Sequence, residues 1–240
     1  NVNQIVRIIP TLKVNNRNLN ETFYMETLGM KVLLEESAFL SLGDQTGLEK
    51  LVLEEAPSMR SRKVEGRKKL AKLVIKVENP LEIECLLSKT DSIHRLYKGQ
   101  NGYAFEIYSP EDDLILIHAE DDRASLVEVG EKPEFQTNLE SISLSKFEIF
   151  MELHFPTDIE SFLEVSEIGA SLDFIPAQGQ DLTVDNTVTW DLSMLKFLVN
   201  ELDIASLRKK FESTEYFIPK SEKFFLGKDR NNVELWFEEV

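Results

Sequence analysis

One pattern recurs four times along this chain and limits its fold more than any other feature: an alternating stretch, a polar corner, an amphipathic segment, then short strand-like runs. In the first copy, Ile8, Leu12 and Val14 fall on one face of a two-residue period and Arg7, Ile9, Thr11 and Lys13 on the other. That alternation predicts a strand with one packed face, and Pro10 marks it as an edge or bulged strand. Asn15, Asn16 and Asn18 predict a helix cap, Leu19, Phe23, Tyr24 and Leu28 the apolar stripe, and Gly29 the stop. Three strand-like runs follow at residues 30–36, 39–42 and 50–54.

The second copy alternates Ala71, Leu73, Ile75 and Val77 with Lys72, Val74 and Lys76. Asn79-Pro80-Leu81-Glu82 then supplies a cap, a first-turn proline and a glutamate placed to close a capping box, with Ile83, Leu86 and Leu87 as the stripe. Strands are expected at 92–97, 103–108 and 114–118, the last two joined by the turn 109–113. In the third copy, Ile149, Met151, Leu153 and Phe155 oppose Glu148, Phe150, Glu152 and His154. Thr157 and Glu160 predict a capping box, and Ile159, Phe162 and Leu163 the stripe of a helix ending at Gly169. The fourth copy has a strand at 192–199, a helix with Ile204, Leu207 and Phe211, and strands near 216–218, 224–226 and 233–237. The expected fold class is α+β, with four βαβββ modules of roughly sixty residues paired into two cupped-sheet domains. The first two modules make an N-terminal domain, 1–122, an acidic linker runs over 123–145, and the last two make a C-terminal domain, 146–240.

Composition narrows the partners. Among 240 residues, 42% are hydrophobic, enough for real cores. A net charge of −16 argues against nucleic acid held through its phosphates, and no apolar run reaches the roughly 20 residues of a membrane span. The single cysteine, Cys85, excludes an intrachain disulfide framework, suits a reducing compartment and lies close to the second helix's apolar stripe as a structural thiol. With no signal-peptide pattern the expected location is the cytoplasm, although a start at Asn1 leaves a removed leader open. One run is strongly basic: PSMRSRKVEGRKK sets Arg60, Arg62, Lys63, Arg67, Lys68 and Lys69 against Glu65, and reads either as a solvated connector or as a site for an anionic ligand or acidic partner.

The repeat architecture, together with the segments LKVNNRNLNETFYMETLGMKV, YSPEDDLILI and KDRNNVELWFEE, resembles the vicinal-oxygen-chelate superfamily, also called the glyoxalase/bleomycin-resistance fold. Over its whole length, and most clearly in IVRIIPTLKVNNR and FYMETLGMKVLLEE, the sequence is similar to the CppA family of Gram-positive cocci. That resemblance implies a proteinase degrading complement component three, and then an extracellular or cell-surface location. The superfamily resemblance implies two glyoxalase-like cups, each able to hold a divalent metal on ligands from the first and last strands of its modules. Superfamily members often pair modules between chains, so a homodimer is also open.

Aligned on that pattern, the ligand positions carry Ile9, Lys72 and Leu116 in the N-terminal half and Phe150 in the third module. An aliphatic or aromatic side chain cannot ligate, and an ammonium repels a cation. No metal ligand is therefore assigned and no cofactor is expected, a divalent metal in the C-terminal cup being the one opening. The expected catalytic candidates are Glu152 and His154, which face away from the packed side of their strand, with Glu234 of the last strand joining them as a base-and-orienter cluster. The expected ligand-binding candidates are Arg7, Lys13, Lys72 and Lys76, which favour an anion in the first cup, with His118, Glu54 and Trp236. Three functions stay open: a metal-poor binding protein for a small anionic ligand or peptide, a peptidase, and a metal-dependent lyase, isomerase or dioxygenase. Against the peptidase stand the lack of any G-x-S-x-G, H-E-x-x-H or D-T/S-G motif and a total of three histidines.

Overall fold

The computed structural model describes residues 1–136, 142–163, 168 and 171–240. The first module comprises β1 (Ile5–Val14), α1 (Arg17–Thr22), β2 (Lys31–Glu36), β3 (Phe39–Gly43) and β4 (Glu49–Glu55). The second comprises β5 (Leu70–Val77), α2 (Pro80–Lys89), β6 (Arg95–Lys98), β7 (Tyr103–Tyr108) and β8 (Leu114–His118). After the short β9 (Val127–Val129), the third module contributes β10 (Phe147–Pro156) and β11 (Leu172–Ala177). The fourth contributes β12 (Leu192–Val199), α3 (Ile204–Lys210), β13 (Phe224–Lys228) and β14 (Glu234–Glu239).

The helix starts follow the sequence, with instructive exceptions. Asn16 caps α1 by accepting the Leu19 N–H at 3.0 Å, and Asn79 caps α2 by accepting that of Leu81 at 3.0 Å. Helix α1 widens into a π-helical turn over Phe23–Thr27, so Asn20, Tyr24 and Leu28 line its inner face. Leu19, expected in the stripe, is instead 58% exposed, and the buried Asn20 amide bonds to the Asn16 carbonyl and to Glu111. Glu82 does not close a capping box: its carboxylate takes the N–H and O–H of Ser145. The expected Thr157–Glu160 box is likewise replaced. Ile159 N–H turns back to the Pro156 carbonyl, and Phe162 N–H and the Ser161 hydroxyl both go to Asp229. Over 157–163 the chain runs as turns and bends where the start of the helix expected to reach Gly169 should lie, because Asp229 takes an N–H group that a cap would serve, and residues 164–167 and 169 lie outside the described residues.

The strands form two seven-stranded mixed sheets, ordered β13-β14-β12-β1-β4-β3-β2 and β11-β10-β5-β8-β7-β6-β9. The pairing of modules differs from the expected first-with-second and third-with-fourth. Strand β1 pairs antiparallel with β12, Ile9 opposite Lys196, so the first sheet joins modules one and four. Strand β5 pairs antiparallel with β10, Lys72 opposite Glu152, so the second joins modules two and three. Neither sequence half is a sheet of its own. The expected linker is also partly structured, since β9 extends the second sheet by pairing with β6.

Two connectors account for this arrangement. The chain crosses between sheets after β4 and again before β12, and the two crossings lie side by side. Arg62 N–H donates to the Val188 carbonyl, and Trp190 N–H to that of Arg62. The Arg62 guanidinium forks onto Asp181 at 2.7 and 2.8 Å, Lys68 pairs with Asp113 at 2.7 Å, and Lys69 donates to the Val184 carbonyl at 2.6 Å. Within the basic run Arg62, Lys63 and Lys68 are matched by Asp181, Asp112 and Asp113 and Lys69 is buried against a carbonyl, while Arg60 and Arg67 stay exposed, so the run is a solvated connector only in part. Asp191, wholly buried, accepts the N–H groups of Lys69, Leu70 and Leu192 and so fixes the starts of β5 and β12 together. One continuous apolar core, including Leu12, Leu53, Leu73, Ile117, Phe147 and Phe197, fills the space beneath both sheets.

Candidate functional site

On the second sheet the faces divide as the alternation requires. Leu73, Ile75 and Val77 of β5, Ile115 and Ile117 of β8, and Met151 and Leu153 of β10 enter the core. Their neighbours Lys72, Val74, Lys76, Leu116, His118, Phe150 and Glu152 turn to the opposite, concave face. With Tyr97, Glu106 and a strap at residues 120–126 they enclose a cavity of about 550 Å³. Its floor is apolar: Val74, Ala104 and Leu116 pack together, with Tyr97, Leu126 and Phe150 against them.

The polar groups of this cup are held in pairs. Lys72 Nζ lies 2.9 Å from Glu106 Oε2, and the Tyr97 hydroxyl donates to Glu106 Oε1 at 2.7 Å. Burial works against the Glu106 carboxylate, but the bonds from Lys72 and Tyr97 outweigh it and hold its pKa below the ordinary value. Burial and the bond to Glu106 raise the Tyr97 phenol. Arg123 reaches from the strap to Glu152 at 3.2 Å and to Asp173 at 3.4 Å, tying module two to module three across the mouth of the cup.

The strap itself hangs on Glu120. This buried carboxylate accepts the Asn101 N–H at 3.0 Å and the Ser125 hydroxyl at 3.1 Å, and its own N–H donates to His118 Nδ1 at 2.9 Å. A Cβ at Gly99 would stand 2.4 Å from the Glu120 carboxyl carbon, so any side chain there would push the carboxylate off these bonds. Because His118 Nδ1 accepts a hydrogen bond, the imidazole is neutral with its proton on Nε2. Burial, then Arg123 and Lys76, push the His118 pKa down to about 4.

A stability signature follows from that depression. An unfolded His118 binds its proton near pH 6.5 and the folded one only near 4, so its contribution is present above 6.5 and lost as pH falls through that window. Asp113, pushed up to about 6 by burial despite Lys68, contributes with the opposite sign over nearly the same range. The difference between the native protein and His118→Gln therefore isolates the histidine. Urea unfolding should show the native protein's advantage shrinking by roughly 3 kcal/mol between pH 7 and 4, at about 1.36 kcal/mol per pKa unit. A constant difference would contradict the assignment.

The candidate residues from the sequence divide between the two sheets. Lys72, Lys76, His118 and Glu152 meet in the second cup. His154 lies on the same strand face as Glu152, but its Nδ1 sits 2.7 Å from the Lys68 carbonyl oxygen. Glu234 belongs to the first sheet, so the expected catalytic trio does not assemble. Lys13 and Glu54 are register partners in the first sheet, where burial raises the Glu54 pKa against the pull of Lys13. There Glu234 accepts from Asn186 at 2.7 Å, and Trp236 stacks on Phe224 at 3.8 Å between ring centroids. Arg7 lies in a separate cleft with Lys50, Glu148 and Ser171. The four cations expected to attract an anion into the first cup are thus split between the sheets. Tyr97, Glu106, Glu120 and Arg123 were not foreseen. Glu106 was visible as the one charge in the apolar strand YAFEIY, and Arg123 as a lone cation in an acidic stretch.

The positions aligned with metal ligands, Lys72, Leu116 and Phe150, all line the second cup, while Ile9 is buried in the first sheet beside Lys196. These residues do not fit a metal ion: the place of a cation is taken by the Lys72 ammonium paired with Glu106. Among the described residues, no three His, Cys, Asp or Glu side chains are grouped so as to hold one.

Comparison with known proteins places the chain. Family models described as CppA N-terminal and CppA C-terminal match residues 7–129 and 144–237. Among solved structures, the cppA protein of Streptococcus pneumoniae TIGR4 is 92% identical over 100% of both chains, with a TM-score of 0.97. A Bacillus subtilis protein named as a candidate dioxygenase is 13% identical with a TM-score of 0.59, over 98% of this chain and 86% of its own. Glyoxalase I of Zea mays is 10% identical with a TM-score of 0.54, over 100% and 92%. The last two show a shared fold and nothing finer. Comparison with curated proteins gave no match.

Proposed function

Because this chain belongs to the CppA family and fills its fold's metal positions with Lys72, Leu116 and Phe150, we propose that it is a metal-independent binding protein. Its site is the cup of the second sheet, and its ligand a small molecule or short peptide. The observation that carries this is a cavity of about 550 Å³, within the range of small-molecule sites, with an apolar floor and a rim of convergent charged side chains. The proteolysis that the resemblance implies lacks comparable footing. His118 carries its proton on Nε2 and so offers no base there, and Glu234, which would have joined Glu152 and His154, belongs to the other sheet.

A ligand screen read by NMR is the test. Binders should shift Tyr97 and Phe150 signals, keep their affinity in EDTA, and weaken at least tenfold when Ala124→Trp on the strap fills the mouth. Loss of binding in EDTA, or full binding to Ala124→Trp, would overturn the proposal.

A further inference from the structure

We propose that the cup of the second sheet takes a zwitterion of amino-acid to dipeptide size, seating its carboxylate in the corner formed by Lys76, His118 and Arg123 and its ammonium toward Glu152. This rests on the same cup being a binding site and names the class of its ligand. Donor capacity left over in the corner carries the assignment. Arg123 has five N–H donors and spends them on two contacts of 3.2 and 3.4 Å, both longer than a tight charge-assisted bond. Among the described residues Lys76 pairs only with Asp121, at 3.5 Å, and that carboxylate is 95% exposed. His118 presents Nε2–H with no protein acceptor among the described residues, because Nδ1 is taken by the Glu120 N–H. Lys76 and His118 are register partners on β5 and β8, and Arg123 lines the same cavity. A single carboxylate satisfies such a corner.

The remaining lining decides the rest of the ligand. More acids than bases surround the cavity, so a phosphate or other polyanion would meet net repulsion. Among the described residues Glu152 accepts one bond, from Arg123, and has capacity left to accept an ammonium. Between the two poles, Leu116 and Phe150 offer a surface for an apolar side chain.

The test is calorimetric titration with five probes, followed in parallel through the His118 imidazole NMR signal: leucine, leucyl-leucine, leucinamide, 4-methylpentanoate and 4-methylpentanamide. Leucine or leucyl-leucine should bind, and each analogue lacking a charge should bind roughly tenfold or more weakly. Arg123→Gln and Lys76→Gln should each weaken the zwitterion by a similar factor, with Arg123→Lys restoring part of the loss. Arg123 also ties the strap, so Lys76→Gln is the independent check. If 4-methylpentanamide binds as tightly as leucine, or if neither Gln variant matters, the zwitterion assignment falls while the cup remains a binding site. If no probe of any charge binds or moves the His118 signal, both fall.

Discussion

Expressed separately, residues 1–122 and 146–240 should each give aggregated or unfolded chains, and only coexpression should restore a soluble protein. In the first fragment β1 and β5 lose the partners that sit at the middle of each sheet, leaving two long unpaired edges. In the second, β10 and β12 lose theirs. Leu195, Phe197, Val199, Phe147, Met151 and Leu153 are all buried in the intact molecule. At about 1.5 to 3 kcal/mol for each large side chain, exposing even these six costs at least about 9 kcal/mol, comparable with the whole stability of a typical domain. Circular dichroism and urea unfolding of each purified fragment will check this. A cooperative transition from either fragment alone would show that the halves are self-contained.

Asp191→Ala should destabilise the protein by about 3 to 5 kcal/mol, the largest effect expected from a single polar substitution. Its carboxylate accepts three backbone N–H groups, and Lys68 lies near enough to oppose the upward push that burial gives its pKa. Alanine leaves those three donors buried without an acceptor and one neighbouring cation less well balanced. Asp191→Asn should retain little, since its single carbonyl oxygen cannot serve all three donors and its NH2 adds another donor to the site. Urea midpoints with unchanged slopes would report the loss as stability. A cost below about 1 kcal/mol would mean that water or a shifted backbone satisfies the donors.

Much of the fold was legible because it rests on local patterns. Strand alternation put Leu73, Ile75, Met151 and Leu153 in the core, and Asn16 and Asn79 announced their helices through capping alone. What stayed hidden depends on distant partners. Nothing near Ile8 says that its strand will lie beside Phe197 rather than beside the second module, and nothing near Arg62 names Asp181. The same limit applied to the cup. Lys72, Leu116 and Phe150 were found at corresponding module positions, but their meeting in one cavity depended on the cross-pairing of modules two and three. Arg123 was passed over because it lies in a stretch without periodicity, where a residue's role comes entirely from what it reaches.

The cross-pairing also orders events in time. The second sheet can assemble from a continuous stretch of chain, with Leu73 meeting Met151, whereas the first must wait for Ile5 to meet Val199. During synthesis the first module therefore stands with one side of β1 unclaimed until nearly all of the described chain has been made. A nascent chain of this protein carries an open, adhesive strand for most of its passage through the ribosome, the condition under which chaperones are recruited and premature pairing between neighbouring chains begins.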